Sequence, residues 1–231
     1  MRSVHAHFLM FAASATAAAV FAPPLGKPVH YETIQRRPTP QGESVIEVWK
    51  DGVFTREGDG YRLTITEPSY KAPPGDALAI ATLDAGKVPV RIHLNAIGEP
   101  MRVIDLPATW NAYVAALRAH PAGVSYANRL VAQPPVTREA QFLQDVETFV
   151  PSNITKENAV VTREPGTNDT VRLHRVSQRS LPNGGRMTTD EHIAVEHPSG
   201  LVIGLSQTTR INIAPAAQTI EASASETRMI K

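Results

Sequence analysis

Apolar and polar residues alternate one for one at both ends of this chain, and only its middle shifts to a helical period. Tyr61, Leu63 and Ile65 fall on one side with Arg62, Thr64 and Thr66 on the other. Val88, Val90, Ile92, Leu94 and Ala96 repeat the pattern, as do Leu201, Ile203 and Leu205, continued by Ile211 and Ile213. A period of two places the apolar set on one face of a pleated strand, so these segments read as strands with one face on a core. The same reading gives strands over 29–36, 44–56 with a break or bulge at Asp51-Gly52, 101–106, 159–163, 171–179 and 187–196. Clusters of Pro, Gly, Asn and Asp separate most of them, and such short connections join antiparallel neighbours.

Two helices are expected in the middle. Trp110, Tyr113, Val114 and Leu117 stand at i, i+3, i+4 and i+7 between Pro107 and Pro121, which predicts a helix over about 107–120. Phe142, Val146, Phe149 and Val150 form a second stripe over about 136–150, with Thr137 as N-cap and Glu139 in the first turn. Asp76 is placed to cap a short helical turn through Ala81, and 122–133 reads as short helix or loop. The fold class that follows is β-rich α+β: a curved antiparallel meander, up to a half-barrel, covered on one face by two amphipathic helices. The economical organisation is one domain over 23–213 with a helical insert at about 107–150. A split into two subdomains near 107 or 155 is the alternative. Residues 214–231, dominated by Ala, Ser, Thr and Glu without periodicity, read as a disordered tail.

The first 22 residues have the pattern of an export signal. Arg2 is their only formal charge, 8–22 is almost wholly Ala, Phe, Leu, Met and Val, and small residues stand at Ala15-Thr16-Ala17, Ala17-Ala18-Ala19 and Val20-Phe21-Ala22. Pro23 hinders cutting after Ala22, which favours cleavage after Ala17 or Ala19. The run falls short of the ~20 apolar residues of a membrane span, and no later segment reaches that length. A periplasmic or secreted location follows as the expectation. The chain has no cysteine, so disulfides and a lipid-modified cysteine are excluded and an ordinary core must hold the fold.

Removing the leader leaves 22 basic and 22 acidic residues, since one of the 23 Lys and Arg residues goes with it. A balanced chain has no general attraction to nucleic acid or anionic membranes, and no basic run exceeds Arg36-Arg37. No Gly-x-Ser-x-Gly elbow is present, and Gly58-Asp59-Gly60 and Gly184-Gly185 read as turns rather than phosphate cradles. Asp190-Glu191-His192, His197 and His174 combine imidazole with carboxylate, the chemistry of a metal site or a proton relay. However, His192 and His197 are five apart and point to opposite faces of a strand. His174 meets His192 only if the hairpin register allows it. No metal and no cofactor are expected, and a hydrolase using Asp190, Glu191 and His192 is the minority alternative. Asn153-Ile154-Thr155 and Asn168-Asp169-Thr170 match the glycosylation sequon by chance.

Two sets of residues remain as candidate ligand contacts. Arg163, Arg172, Arg175, Arg179 and Arg186 lie on neighbouring strands, and Arg172 with Arg186 on one face would receive a carboxylate or phosphate headgroup. Trp110, Tyr113, Phe142 and Phe149 would line an apolar cavity between helices and sheet. In element order the chain resembles the half-barrel carriers that ferry lipids or lipoproteins across a bacterial periplasm, although those usually begin with a helix. No residue motif carries that likeness, and no residue role is transferred from it. The expected function is a non-catalytic exported envelope protein that binds an apolar small molecule, a lipid or another envelope component. The competing reading is an interaction module with a solid core, contacting a partner through a strand edge or the 214–231 tail.

Overall fold

Two antiparallel meanders, joined along one seam, make a single sheet. In the computed structural model, residues 21–40, 42–151, 159–167, 169–181, 185–213 and 218–230 are described. The leader up to residue 20, the Asn153 sequon and Asn168 lie outside them. The first meander runs β1 (Pro28–Thr39), β2 (Gly42–Glu57), β3 (Gly60–Lys71), β4 (Val90–Leu94) and β5 (Pro100–Val103). The second runs β6 (Val160–Glu164), β7 (Thr170–Ser180), β8 (Arg186–Glu196), β9 (Val202–Ile213) and β10 (Gln218–Ile230). Within each meander every strand pairs with its chain neighbour, and β1 pairs with β10, giving the order β5-β4-β3-β2-β1-β10-β9-β8-β7-β6, with β5 and β6 at the edges. The result is an open ten-stranded antiparallel sheet with helices, the β-rich α+β class that alternation predicts.

β10 overturns the expectation of a disordered tail. Glu32 pairs with Arg228 and Ile34 with Glu226 on one side, and Glu226 pairs with Ser206 on the other. The Thr33 and Thr227 hydroxyls meet at 2.9 Å. The strand escapes a search for apolar alternation because two hydrogen-bonded neighbours hold it, rather than the burial of large side chains. The N-terminal boundary also shifts. Phe21 is buried against Phe54 and Tyr61, whose hydroxyl donates to the Phe21 carbonyl at 2.9 Å. The folded domain therefore includes Phe21 and Ala22.

Helices follow the first meander: α1 (Ala77–Gly86) between β3 and β4, then α2 (Leu106–Arg118), α3 (Val124–Val131) and α4 (Pro135–Gln144) after β5. The Asp76 side chain caps α1 by accepting from Ala79 N at 3.0 Å, and the helix runs one turn further than expected. Residues 122–133 are largely helical, as α3. Thr137 does not cap α4. Pro134 holds that position, and Pro135 opens the first turn, where its missing N–H costs no hydrogen bond. The second stripe is not one helix through residue 150 but α4 followed by a 3-10 turn over Asp145–Thr148.

The main core lies between the first meander and these helices. Phe54, Leu63, Ile92, Leu94, Leu117 and Phe149 are fully buried in it. A Cβ on Gly52 would come within 2.3 Å of the Phe149 ring, so that position needs glycine for the ring to lie against the strand. The second meander has only a small cluster of Ile193, Val195 and Val202, backed by Val171, Leu173 and Leu205. Tyr31 ties the halves together, its phenol donating to Val202 O at 2.7 Å. Burial, aided by the Glu196 charge, pushes that phenol well above the ordinary tyrosine range, so it stays a donor. No helix among the described residues is long and apolar enough to cross a membrane.

Candidate functional site

The aromatic stripe is brought together, but as packing. Trp110 stacks on Tyr113 at 6.2 Å, and Phe142 meets both rings edge-on at 5.9 and 5.6 Å. Phe149 lies apart from them, edge-on to Tyr31 at 4.8 Å. Trp110, Phe142 and Phe149 are buried in the main core, and none of them lines any of the three cavities described for this fold. Only Tyr113 reaches one, a cleft of about 360 Å³ between helices and sheet. A helical stripe reports that one face is covered; it does not report whether side chains or a ligand cover it.

That cleft is polar, contrary to the apolar gap expected there. Its walls include Thr33, Gln35, Gln207, Ser225 and Thr227 from the sheet. Lys50 lies 2.9 Å from Glu67 and 2.8 Å from Asp145 with its side chain nearly buried. Burial would depress the ammonium, but the two carboxylates outweigh it and hold its pKa above the ordinary lysine value. Beside it, Arg175 donates to Glu191 at 2.6 Å and to Glu147 at 3.1 Å. Burial opposes that charge as well, and the two glutamates outweigh it. These pairs anchor the 3-10 turn after α4 to β2 and β7, and they leave the inner surface unsuited to a lipid chain.

The alternation of β8 also dismantles the proposed hydrolase cluster. Glu191 is buried on the helix-facing side, paired with Arg175, while Asp190 and His192 stand on the opposite face. The three cannot line one cleft. His197 sits past the end of β8 in the turn toward β9, where its backbone N–H donates to Asp169 O at 2.9 Å.

A second hollow, about 480 Å³, opens on the outer face, away from the helices. It arises where two small residues fall side by side: Ala194 on β8 pairs with Gly204 on β9. A bulge between Ala194 and Val195 adds local twist at the same point. Longer side chains surround that floor. Ile34, Arg172, His192, Glu226 and the Arg228–Glu32 ion pair, with Nε–Oε2 at 2.8 Å, form the walls. Arg172 is exposed and makes no ion pair with another described residue. Arg186 takes no part. It shares the face with Arg172 but pairs with Ser180, eight residues along β7, about 26 Å away at ~3.3 Å per residue.

At the lip of this hollow the register does place His174 opposite His192. Their rings stack in parallel with centroids 4.5 Å apart. Asp190 Oδ1 lies 2.8 Å from His174 Nε2 and 3.7 Å from His192 Nε2. Glu164 Oε1, from edge strand β6, lies 3.7 Å from His192 Nδ1. Sequence reasoning named three of these four residues but could not bring them together, because the cluster draws on three strands and depends on register. Glu164 had no signal of its own.

No protein-family model matches the chain, and no curated protein matches it significantly. Among solved structures it is similar to one titled lipid-protein interactions in lipovitellin, at 12% identity and a TM-score of 0.48. That match covers 90% of this chain, which spans only a quarter (25%) of the other. It is also similar to a structure described as an exported protein with a YmcC-like fold from Bacteroides fragilis (11% identity, TM-score 0.26, covering 93% of this chain and 100% of that one). A third is described as an outer membrane lipoprotein-sorting protein domain from Vibrio parahaemolyticus (9% identity, TM-score 0.24, covering 88% and 83%). With TM-scores below 0.5 and identities of 12% or less, the function is left to be read from the chain's own residues.

Proposed function

We propose that this chain is a non-catalytic exported binding protein that holds an amphipathic small molecule, a lipid or lipid-like anion, in the hollow over Ala194 and Gly204. The observation that carries the reading is the composition of that hollow. Its volume falls within the ~300–1,000 Å³ usual for small-molecule sites. Ile34, Ala194 and Gly204 offer apolar surface. Arg172 on the wall supplies a charge for a carboxylate or phosphate. The aromatic residues Trp110, Phe142 and Phe149 serve the fold in this reading, and Arg172 alone remains of the anion pair.

Native mass spectrometry of freshly purified protein, followed by lipid extraction, is the test. A copurifying amphiphile that is lost in Gly204→Leu, which fills the floor, and weakened in Arg172→Ala supports the site. Ligand retained in both variants, or no ligand with wild type after incubation with fatty acids and phospholipids, overturns it.

Export rests on the leader. The packing of Phe21 favours cleavage after Ala17 or Ala19, because cutting after Ala22 would remove a core ring. The mature N-terminus read by mass spectrometry decides it: an intact Met1 on a cytosolic pool refutes export.

A second reading, the interaction module, is favoured by the sheet edge. β6 exposes Val160 (70%) and Val161 (48%) beside a sheet edge that no described strand pairs. A peptide or envelope partner adding a strand there would be blocked by Val161→Pro, which removes a backbone donor, while the hollow kept its ligand.

A further inference from the structure

Two histidines converging on one carboxylate oxygen is more than an ion pair requires. His174 alone satisfies Asp190 at 2.8 Å. His192 at 3.7 Å adds little to that bond, yet its ring lies parallel to the first with its Nε2 turned to the same oxygen. We propose that His174, Asp190 and His192 form a binding site for a divalent transition-metal ion, with Zn2+ the fitting ion. The inference stands on this cluster alone and holds whether or not the hollow beside it takes an amphiphile.

The backbone accounts for the convergence. Residues directly opposite on paired strands have Cβ atoms about 4.5–5.5 Å apart, which places the imidazoles of His174 and His192 side by side. Asp190 precedes His192 by two residues and so shares its face. The three offer one ligand atom each, all within 4.8 Å of one another. Zn2+ binds imidazole and carboxylate at about 2.0–2.2 Å, which sets tetrahedral neighbours ~3.4 Å apart. Two of the three separations, 2.8 and 3.7 Å, bracket that value, and binding the ion would turn the two parallel imidazoles toward each other to close the third. β7 and β8 are both interior strands, which makes the platform stiff.

Glu164 strengthens the case from the other side of the ring. A metal-bound histidine usually donates its second N–H to a carboxylate, carbonyl or water, which sets the tautomer and aims the free lone pair. Glu164 Oε1 stands 3.7 Å from Nδ1 of His192, a longer approach than a hydrogen bond, so it would take that role once the ring turns and leaves Nε2 for the ion. Three protein ligands leave a fourth position for water or an anion, the arrangement of an open rather than a purely structural zinc site. His192, Glu164 and Arg172 all line the hollow, so the cluster sits at its wall. Two imidazoles and a carboxylate also suit other first-row ions, and the experiment separates them.

Full-length mature protein, purified without an affinity tag and stripped with chelator, is dialysed against ZnCl2 and analysed for bound metal. One Zn2+ per chain is expected, with a rise in melting temperature. Losing an outer partner of a metal ligand typically costs about 10–100-fold in affinity, so Glu164→Gln should weaken binding ~10-fold and His174→Ala or His192→Ala by ~100-fold or more. His197→Ala, outside the cluster, should bind as wild type does. If the histidine variants fold poorly, the absorption spectrum of wild type loaded with Co2+ reports imidazole ligation and coordination number independently. Stoichiometry far below one, equal binding by the His174→Ala and wild-type proteins, or a Co2+ spectrum identical to that of the free aqueous ion would each overturn the site. Saturation by Fe2+ or Ni2+ but not Zn2+ would overturn the choice of ion.

Discussion

The two meanders have the same topology and opposite economies. In β1–β5 one face is sealed by α1–α4, and large apolar side chains such as Phe54, Leu63 and Ile92 are removed from water. In β6–β10 the apolar cluster is a few residues across. The stability of that half leans on hydrogen-bonded ladders, the seam with β1, and the buried Glu147–Arg175–Glu191 pairs. The difference shows what an uncovered sheet is free to do. A half whose outer face no described helix covers keeps polar side chains there, and there the outer hollow and the histidine cluster occur.

The largest effect that would break this contrast is in the sealed half. Phe54→Ala empties a fully buried position and should cost about 3–5 kcal/mol, read from the urea midpoint of the whole chain. A cost below that of any truncation in the second meander would show that the main core has been misplaced. Next comes Arg175→Met, which leaves Glu191 buried without its guanidinium. Removing one partner of a buried pair typically costs about 3–5 kcal/mol. Because Glu147, the other carboxylate of the network, lines the cleft, the lower end is expected, and a neutral result would mean that the pairs do not brace the second half. Ile193→Ala, in the small cluster, should cost about 2 kcal/mol, the lower end for such truncations, because few neighbours lose contacts. A value equal to that for Ile92→Ala would erase the difference between halves.

The smallest expected effect concerns pH. The Asp84 carboxylate accepts from Lys87 at 2.7 Å, and this bond, with Tyr70 and His120 nearby, lowers its pKa. The sign follows from a carboxylate depressed in the folded state. The stabilisation is present above the ordinary aspartate range and is lost as pH falls through the lowered value. An exposed pair of this kind is weak and screened by salt. Asp84→Asn should therefore flatten the acid limb of the melting curve slightly at low ionic strength and have no effect in 1 M salt. An effect that persists in salt would mark this corner of α1 as buried in solution.

How much of this was legible follows the same division. Where alternation is driven by burial, as in β3 and β4, strand and face were readable from the residues alone; at the start of β9 the strand was readable but the bulge opposite it puts Val202 in the same cluster as Leu205. The Asp76 cap was readable because the side chain acts on its own next turn. β10 was not, because the ladders on both its sides stabilise it and no apolar pattern marks it. The Trp110 stripe was readable as buried, and among the described residues its rings pack on one another. The Ala194–Gly204 hollow left no trace in either strand's own pattern, since smallness matters only once the two residues stand together.

By itself, then, the sequence determined the β-rich class, the antiparallel connections and the helical middle, because each depends on neighbours within a few residues, and its lack of cysteine excluded thiol and disulfide chemistry. The tertiary structure decided the seam between β1 and β10, the separation of Arg172 from Arg186, the burial of Glu191 away from Asp190, and the meeting of His174 with His192. Each of these is set by strand register, and a shift of one residue would send every one of those side chains to the other face.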